Sequence, residues 1–228
     1  KDISFQETYV WQFIENFIHS YLKKHGYSEV RTPTFESTDL FCRSIGENTD
    51  IVSKEMYTWK DQGNNMLTLR PELTASIVRY YVQNKLNKTS PIHRLYYMGS
   101  LYRRERPQKG RFRQFNQFGI EVFGSKYPEQ DAEVISLAYN FYKLLQIKNI
   151  TLKINSIGSK NSRSTYISSL KKYLKKHENQ LTDLSKKRLD TNPLRILDTK
   201  IDSEINIIKQ APQIIDYLSK DDKDYFNK

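Results

Sequence analysis

The sequence has a single cysteine, Cys42, among 228 residues, which excludes an intrachain disulfide and makes a reducing compartment the expected home. No stretch approaches the roughly 18 uninterrupted apolar residues of a membrane span, and the start, Lys1-Asp-Ile-Ser-Phe-Gln6, carries no apolar signal core. The expectation is a cytoplasmic protein with no membrane association. His19, His25, His93 and His177 are scattered without partner cysteines or a His-x-x-x-His spacing, so no metal site is expected of them. Glycine is also scarce. All eight glycines lie at or before Gly158, and the seventy residues beyond it have none.

What is present argues for a folded chain. Hydrophobic residues make up 37%, and 16 Tyr, 11 Phe and 2 Trp supply ample core material. A net charge of +11 and a pI near 9.5 favour an anionic partner, nucleic acid or a polyphosphate, although a lysine-rich surface alone also serves solubility.

The loss of glycine after Gly158 marks a domain boundary, giving residues 1–158 and 159–228. The second segment reads as short helices punctuated by Asn192-Pro193 and Pro212. In the first, Val10, Phe13, Ile14, Phe17, Ile18 and Leu22 recur at helical spacing, with Gly26 as a stop. Ser28 to Arg31 reads as a strand ended by Thr32-Pro33, and the turn signal Asp61-Gln-Gly-Asn-Asn65 joins Met56–Trp59 to Met66–Arg70 as a hairpin. A helix follows Pro71, and Arg94–Arg103 and Gln114–Gly124 form an antiparallel pair. A helix over Glu129–Leu145 and a strand over Ile150–Asn155 complete the first domain. Mixing without regular alternation gives an α+β fold, an antiparallel β-sheet flanked by helices, with a small helical domain appended.

Between Arg103 and Arg113 lie six cations and one carboxylate, with Pro107 and Gly110 shaping a tip. Guanidinium groups grip phosphate oxygens by paired, charge-assisted hydrogen bonds, so the loop suits a polyphosphate. On the returning strand, alternation sets Phe115, Gln117, Gly119 and Glu121 on one face, and Phe118, Ile120 and Val122 on the other, the expected core face. Gly99 shares the parity of Arg103 and Glu105. Bare Gly99 and Gly119 beside an amide and a carboxylate suggest a floor for a small polar ligand. Glu72, expected in the first turn of the helix after Pro71, is placed to stay ionised and meet an ammonium group.

The run Arg103-Arg-Glu-Arg-Pro-Gln-Lys-Gly-Arg-Phe-Arg-Gln-Phe-Asn-Gln-Phe-Gly-Ile-Glu121 resembles motif 2 of the class II aminoacyl-tRNA synthetases, in the form used by the histidyl-tRNA synthetase family. Gly26-Tyr-Ser-Glu-Val-Arg-Thr-Pro33 is similar to the motif 1 strand of that class. Glu55-Met-Tyr-Thr58, Leu67-Thr-Leu-Arg-Pro-Glu72 and Asn155-Ser-Ile-Gly-Ser159 extend the likeness over nearly the whole chain. The resemblance implies an enzyme that activates histidine with ATP and magnesium and passes it to the 3′ end of tRNA(His). It implies that Arg103 contacts the α-phosphate and the histidine carboxylate as the catalytic cation. ATP would also meet Glu105 at the adenine, Phe115 beneath it and Arg111 at the outer phosphates. Glu72 and Thr74 would hold the amino-acid end of histidine, and Gln117 and Glu121 would line its pocket. Residues 159–228 would be an insertion domain near the tRNA acceptor stem, with Lys171, Lys172, Lys175 and Lys176 along one helix side. Motif 1 implies a homodimer.

The family pattern continues with an Arg-Gly-Leu-Asp-Tyr-Tyr-like segment, motif 3 and an anticodon-binding domain, none of which occurs here, and its usual start is missing before Lys1. The expectation is therefore a shortened chain that does not by itself form histidyl-adenylate at a normal rate. The rival readings are the synthetase-like regulatory subunit of ATP phosphoribosyltransferase and a non-enzymatic RNA-binding module. The largely intact motif 2 and the insertion after Gly158 weigh against the first, and the polar face of Gln117, Gly119 and Glu121 weighs against the second.

Overall fold

The computed structural model describes residues 2–46, 49, 51–106 and 108–228. The chain divides into two compact units, Lys1–Lys126 and Tyr127–Lys228. The composition break after Gly158 therefore falls inside the second unit.

The first unit opens with helix α1, Phe5–Lys24, where the Glu7 carboxylate accepts from the Ser4 N–H at 3.3 Å. It stops as the spacing predicts: Gly26 takes φ of 78°, and the Tyr27 N–H returns to the Leu22 carbonyl at 3.0 Å. Only the later turns are buried, through Ile18, Tyr21 and Leu22. Strand β1 is shorter than expected, just Ser28–Glu29, and it lies parallel to β5, His93–Tyr102. This two-residue parallel pairing is added to a sheet whose main pairing is antiparallel. On its other side β5 pairs antiparallel with β6, Gln114–Phe123, in unbroken register from His93 opposite Phe123 to Tyr102 opposite Gln114.

A second sheet has the order β2–β4–β3, from Phe35–Ser37, Met66–Leu69 and Tyr57–Lys60. The Asp61–Asn65 hairpin forms as read. The Asp61 carboxylate accepts from the Asn65 N–H at 2.8 Å and the Asn65 side chain at 3.1 Å, and Asn64 takes a left-handed φ of 62°. Thr68, fully buried, meets the hydroxyls of Thr38 at 2.8 Å and Thr58 at 3.0 Å. Helix α2, Thr38–Ile45, follows β2, and helix α3, Thr74–Gln83, follows β4. Leu73 and Ile77 form a core with Val30, Leu95, Tyr97 and Leu101.

The second unit is helical: α4, Pro128–Leu144; α5, Lys160–Lys176; α6, Asp183–Thr191; α7, Asp202–Lys209; and α8, Lys220–Phe226. Tyr166, Leu170 and Leu174 on α5 build its core with Leu181, Leu189, Ile196 and Ile207. Truncating either fully buried leucine of α5 to alanine would cost about 2–5 kcal/mol. Residues 150–155, expected as a strand, form no regular element and pair with no strand among the described residues, and Leu152 and Ile154 stand exposed. An alternating pattern makes a strand only where a partner edge exists.

Two carboxylates fasten this unit. Glu204, fully buried, accepts from the Thr182 N–H at 2.8 Å and from the hydroxyls of Thr182 at 2.9 Å, Ser185 at 3.0 Å and Thr199 at 2.6 Å. Asp222 accepts from the Ser162 hydroxyl, the Ser159 N–H at 3.1 Å and the Ser219 N–H at 3.2 Å, joining the start of α5 to the start of α8.

Candidate functional site

The site grows from the segment that links the two sheets of the first unit. Arg70 follows β4, and its N–H donates to the Thr34 carbonyl at 3.0 Å while its own carbonyl accepts from the Tyr102 N–H at 3.0 Å. Pro71 then stops the strand, because it has no N–H to donate. Its carbonyl accepts from Arg103 Nε at 2.9 Å, and the Arg103 guanidinium carbon lies 5.2 Å from the Phe115 ring centroid. Arg103 is thereby held between the Arg70–Pro71 turn and β6.

Glu72 lies before α3 rather than in its first turn, which corrects the sequence expectation. Its Oε1 accepts from the Ala75 N–H at 2.9 Å, so the carboxylate caps the helix. Two residues on, the Thr74 hydroxyl donates to Glu121 Oε1 at 2.8 Å, and the Tyr97 hydroxyl reaches the same oxygen at 3.4 Å. Glu72, Thr74 and Glu121 thus meet with Tyr97, which sequence reasoning missed. Burial raises the Glu121 carboxyl above its ordinary range, and the charge of nearby Glu72 adds to the rise, while the bonds from Thr74 and Tyr97 oppose it. Burial likewise pushes the Tyr97 phenol up to about 12, which keeps it a donor.

Strand parity was read correctly as to which residues share a face, but not as to what covers that face. Leu95, Tyr97 and Leu101, opposite Glu121, Gly119 and Phe115, pack beneath α3, so the polar side is also core. The other face is covered as well: Tyr96 is buried and its hydroxyl meets His19 Nδ1 at 2.8 Å, with Phe118, Ile120 and Val122 half-buried. Nor are the glycines bare. A methyl group on Gly119 would collide with the Tyr97 hydroxyl, and one on Gly99 would come within 2.5 Å of Arg70 Nη2. Gln117, opposite Gly99, is exposed.

Beyond Arg103 the basic loop closes through a tight turn, with the Arg111 N–H bonded to the Gln108 carbonyl at 2.9 Å and Gly110 at φ of 80°. Pro107, expected at the tip, lies outside the described residues. Arg111 Nη1 comes within 3.4 Å of Glu105 Oε2 without hydrogen-bond geometry, so this buried oxygen has no hydrogen-bond partner among the described residues. Glu105 lines a cavity of about 490 Å³ with Ser53, Lys54, Arg104, Arg106 and Arg113. It is the only acidic residue among the described lining groups, so the cavity suits an anion that also carries a hydrogen-bond donor.

In the second unit, Lys171 is half-buried and donates to the Asp190 carbonyl at 3.1 Å, while Lys172, Lys175 and Lys176 are exposed. Lys171, Lys172 and Lys175 line a cavity of about 300 Å³ with Glu178, Leu189 and Asp190; Lys176 does not. Among the described residues no helix is long and apolar enough to cross a membrane.

The histidyl-tRNA synthetase family model matches residues 1–200. Curated relatives include a histidine–tRNA ligase of Macrococcus caseolyticus, 48% identical over 230 residues, covering 100% of this chain and 54% of the relative. Another, from Protochlamydia amoebophila, is 46% identical over 223 residues, with 98% and 53% covered. The crystal structure of apo S. aureus histidyl-tRNA synthetase superposes with a TM-score of 0.75 at 35% identity, over 100% of this chain and 51% of that one. A Bacillus halodurans ATP phosphoribosyltransferase regulatory subunit/histidyl-tRNA synthetase gives 0.62 at 21% identity, over 99% and 65%, a likeness of fold alone. The chain spans about half the length of the curated relatives it matches.

Proposed function

This chain belongs to the histidyl-tRNA synthetase family, and from that premise we propose that its first unit carries much of a site where ATP activates histidine for transfer to tRNA(His) in the cytoplasm. The observation that carries the reading is the meeting of Glu72, Thr74, Tyr97 and Glu121 beside Arg103. Two carboxylates and two hydroxyls suit a small cationic amino acid, and the neighbouring guanidinium suits its carboxylate.

In this reading Glu72 and Thr74 take the ammonium group, and Glu121 with Gln117 takes the imidazole. Arg103 steadies the histidine carboxylate as it attacks the α-phosphorus and pyrophosphate leaves; the same side chain neutralises charge gathering on the α-phosphate. Phe115 offers a ring for the adenine, and the unsatisfied Glu105 oxygen would accept from the adenine amino group. Arg111, released from Glu105, would turn to the outer phosphates. Magnesium would supply charge neutralisation across the phosphates. With Glu105 the sole carboxylate among the described residues lining the basic cavity, that ion would be held mainly by phosphate oxygens and water.

The second unit would hold the insertion domain from about residue 159, because Asp222 brings its entry and exit together. Its exposed lysines would meet the tRNA acceptor stem. A homodimer would cover the exposed apolar stripe of Phe5, Tyr9, Val10 and Phe13 on α1. Calorimetry of histidine with and without ATP, on this chain and on Glu121→Ala, tests the central reading. Saturable binding lost in the variant is expected; equal affinity in both proteins would overturn it.

A further inference from the structure

Arg70 is a charged side chain that the reaction above does not use, yet it is only 8% exposed. Its Nε donates to the Ser100 carbonyl at 2.9 Å, and its Nη1 donates to the Thr32 carbonyl at 2.9 Å and lies 3.4 Å from that of Pro33. These partners are uncharged, and among the described residues no carboxylate is hydrogen-bonded to the guanidinium; burial lowers its pKa, a fall that Tyr102 and the charge of Glu36 offset only in part. An apolar residue would fill this volume at less cost. What only a planar fork provides is donors in fixed directions to two chain segments at once.

Those segments belong to different parts of the frame. Thr32 and Pro33 follow β1, and the Arg70 backbone continues the β2–β4 pairing through Thr34; Ser100 and Tyr102 lie on β5. One residue after Tyr102 comes Arg103, and two residues after Arg70 comes Glu72. We propose that Arg70 is a positioning residue that locks the two sheets together and so fixes the spacing between Arg103 and Glu72. The proposal rests on the histidine-activation reading for its catalytic consequence. Gly99 is part of the lock: the absence of a side chain there lets Nη2 lie against β5.

Two substitutions attack the lock from opposite sides. Arg70→Lys keeps the charge and removes the fork; Gly99→Ala keeps the fork and pushes it away. In the full polypeptide that carries this sequence, ATP–pyrophosphate exchange is measured per mole of folded protein, well below each variant's melting temperature. Each single substitution is expected to lower kcat by roughly 100-fold, the effect of misplacing a reacting group by about 1 Å, with smaller changes in KM for ATP and histidine. Because both act on one lock, the double variant falls no more than about threefold below the worse single one. A purely structural Arg70 would lower Tm and leave kcat of the folded fraction intact, and losses that multiply would separate Gly99 from Arg70; either result overturns the proposal. If the unsubstituted polypeptide forms no histidyl-adenylate, the functional reading fails instead. The lock is then judged by amide exchange at Tyr102: faster in both single variants and no faster again in the double supports it, and unchanged exchange overturns it.

Discussion

Glu121 in the first unit and Glu204 in the second are both glutamates drawn out of bulk water, and their surroundings treat them oppositely. Burial pushes Glu204 up, but hydrogen bonds from Thr199, Thr182 and Ser185 outweigh it and its pKa ends below the ordinary value. At Glu121 burial prevails: Thr74 and Tyr97 share one oxygen, and Glu72 adds a like charge, so the pKa ends above it. Glu105 extends the contrast, with a buried oxygen that no described group satisfies. A carboxylate whose donors are all internal fastens a fold. One left short of donors is complete only with a ligand.

The largest test of the contrast is Glu204→Ala, which strands four donors in the helical unit. We expect a loss of about 3 kcal/mol or more in urea unfolding, and a loss below about 1 kcal/mol would show that the cluster is not a fastening. Glu121→Gln should do the reverse: histidine affinity falls by an amount worth about 1.5–3 kcal/mol, as for hydrogen bonds to charged groups. Stability at neutral pH should hold or rise slightly. A fall in melting temperature matching that of Glu204→Ala would erase the distinction.

A third, smaller effect lies in pH. Glu204 and Asp222 are depressed below 4.5 and 3.8, so the stability they contribute is present above those values and is lost as pH falls through their folded pKa values. For Glu121 the sign is opposite. Its raised pKa favours the fold below 4.5, and that contribution is lost as pH rises through its folded value. On acidification, circular dichroism should therefore show helix lost from the second unit before the β5–β6 signal changes; simultaneous loss would break the comparison. Smallest per residue is charge reversal at Lys172, Lys175 and Lys176, where each change should reduce the salt dependence of tRNA binding by roughly one phosphate contact. An unaltered salt slope would remove these lysines from the interface.

The β5–β6 pair, the Asp61–Asn65 hairpin and the stop at Gly26 were legible because each depends on its own few residues. The convergence of Glu72, Thr74 and Glu121 was legible only through the family motifs, since Glu121 lies 47 residues beyond Thr74. Arg70 and Tyr97 were missed for a related reason. Alternation tells which way a side chain points from its own strand, but not which distant side chain lies across a glycine. A cation in the otherwise uncharged run Met66-Leu-Thr-Leu-Arg-Pro71 was the one available sign of Arg70. Residues 150–155 show the converse, a strand pattern whose realisation depends on an edge that the pattern itself does not contain.

The Asp222 clasp makes the helical segment from Ser159 to Asp222 nearly self-closing, since its two ends are joined through one side chain. A segment with adjoining ends can be lengthened, shortened or exchanged for another without stretching whatever flanks it.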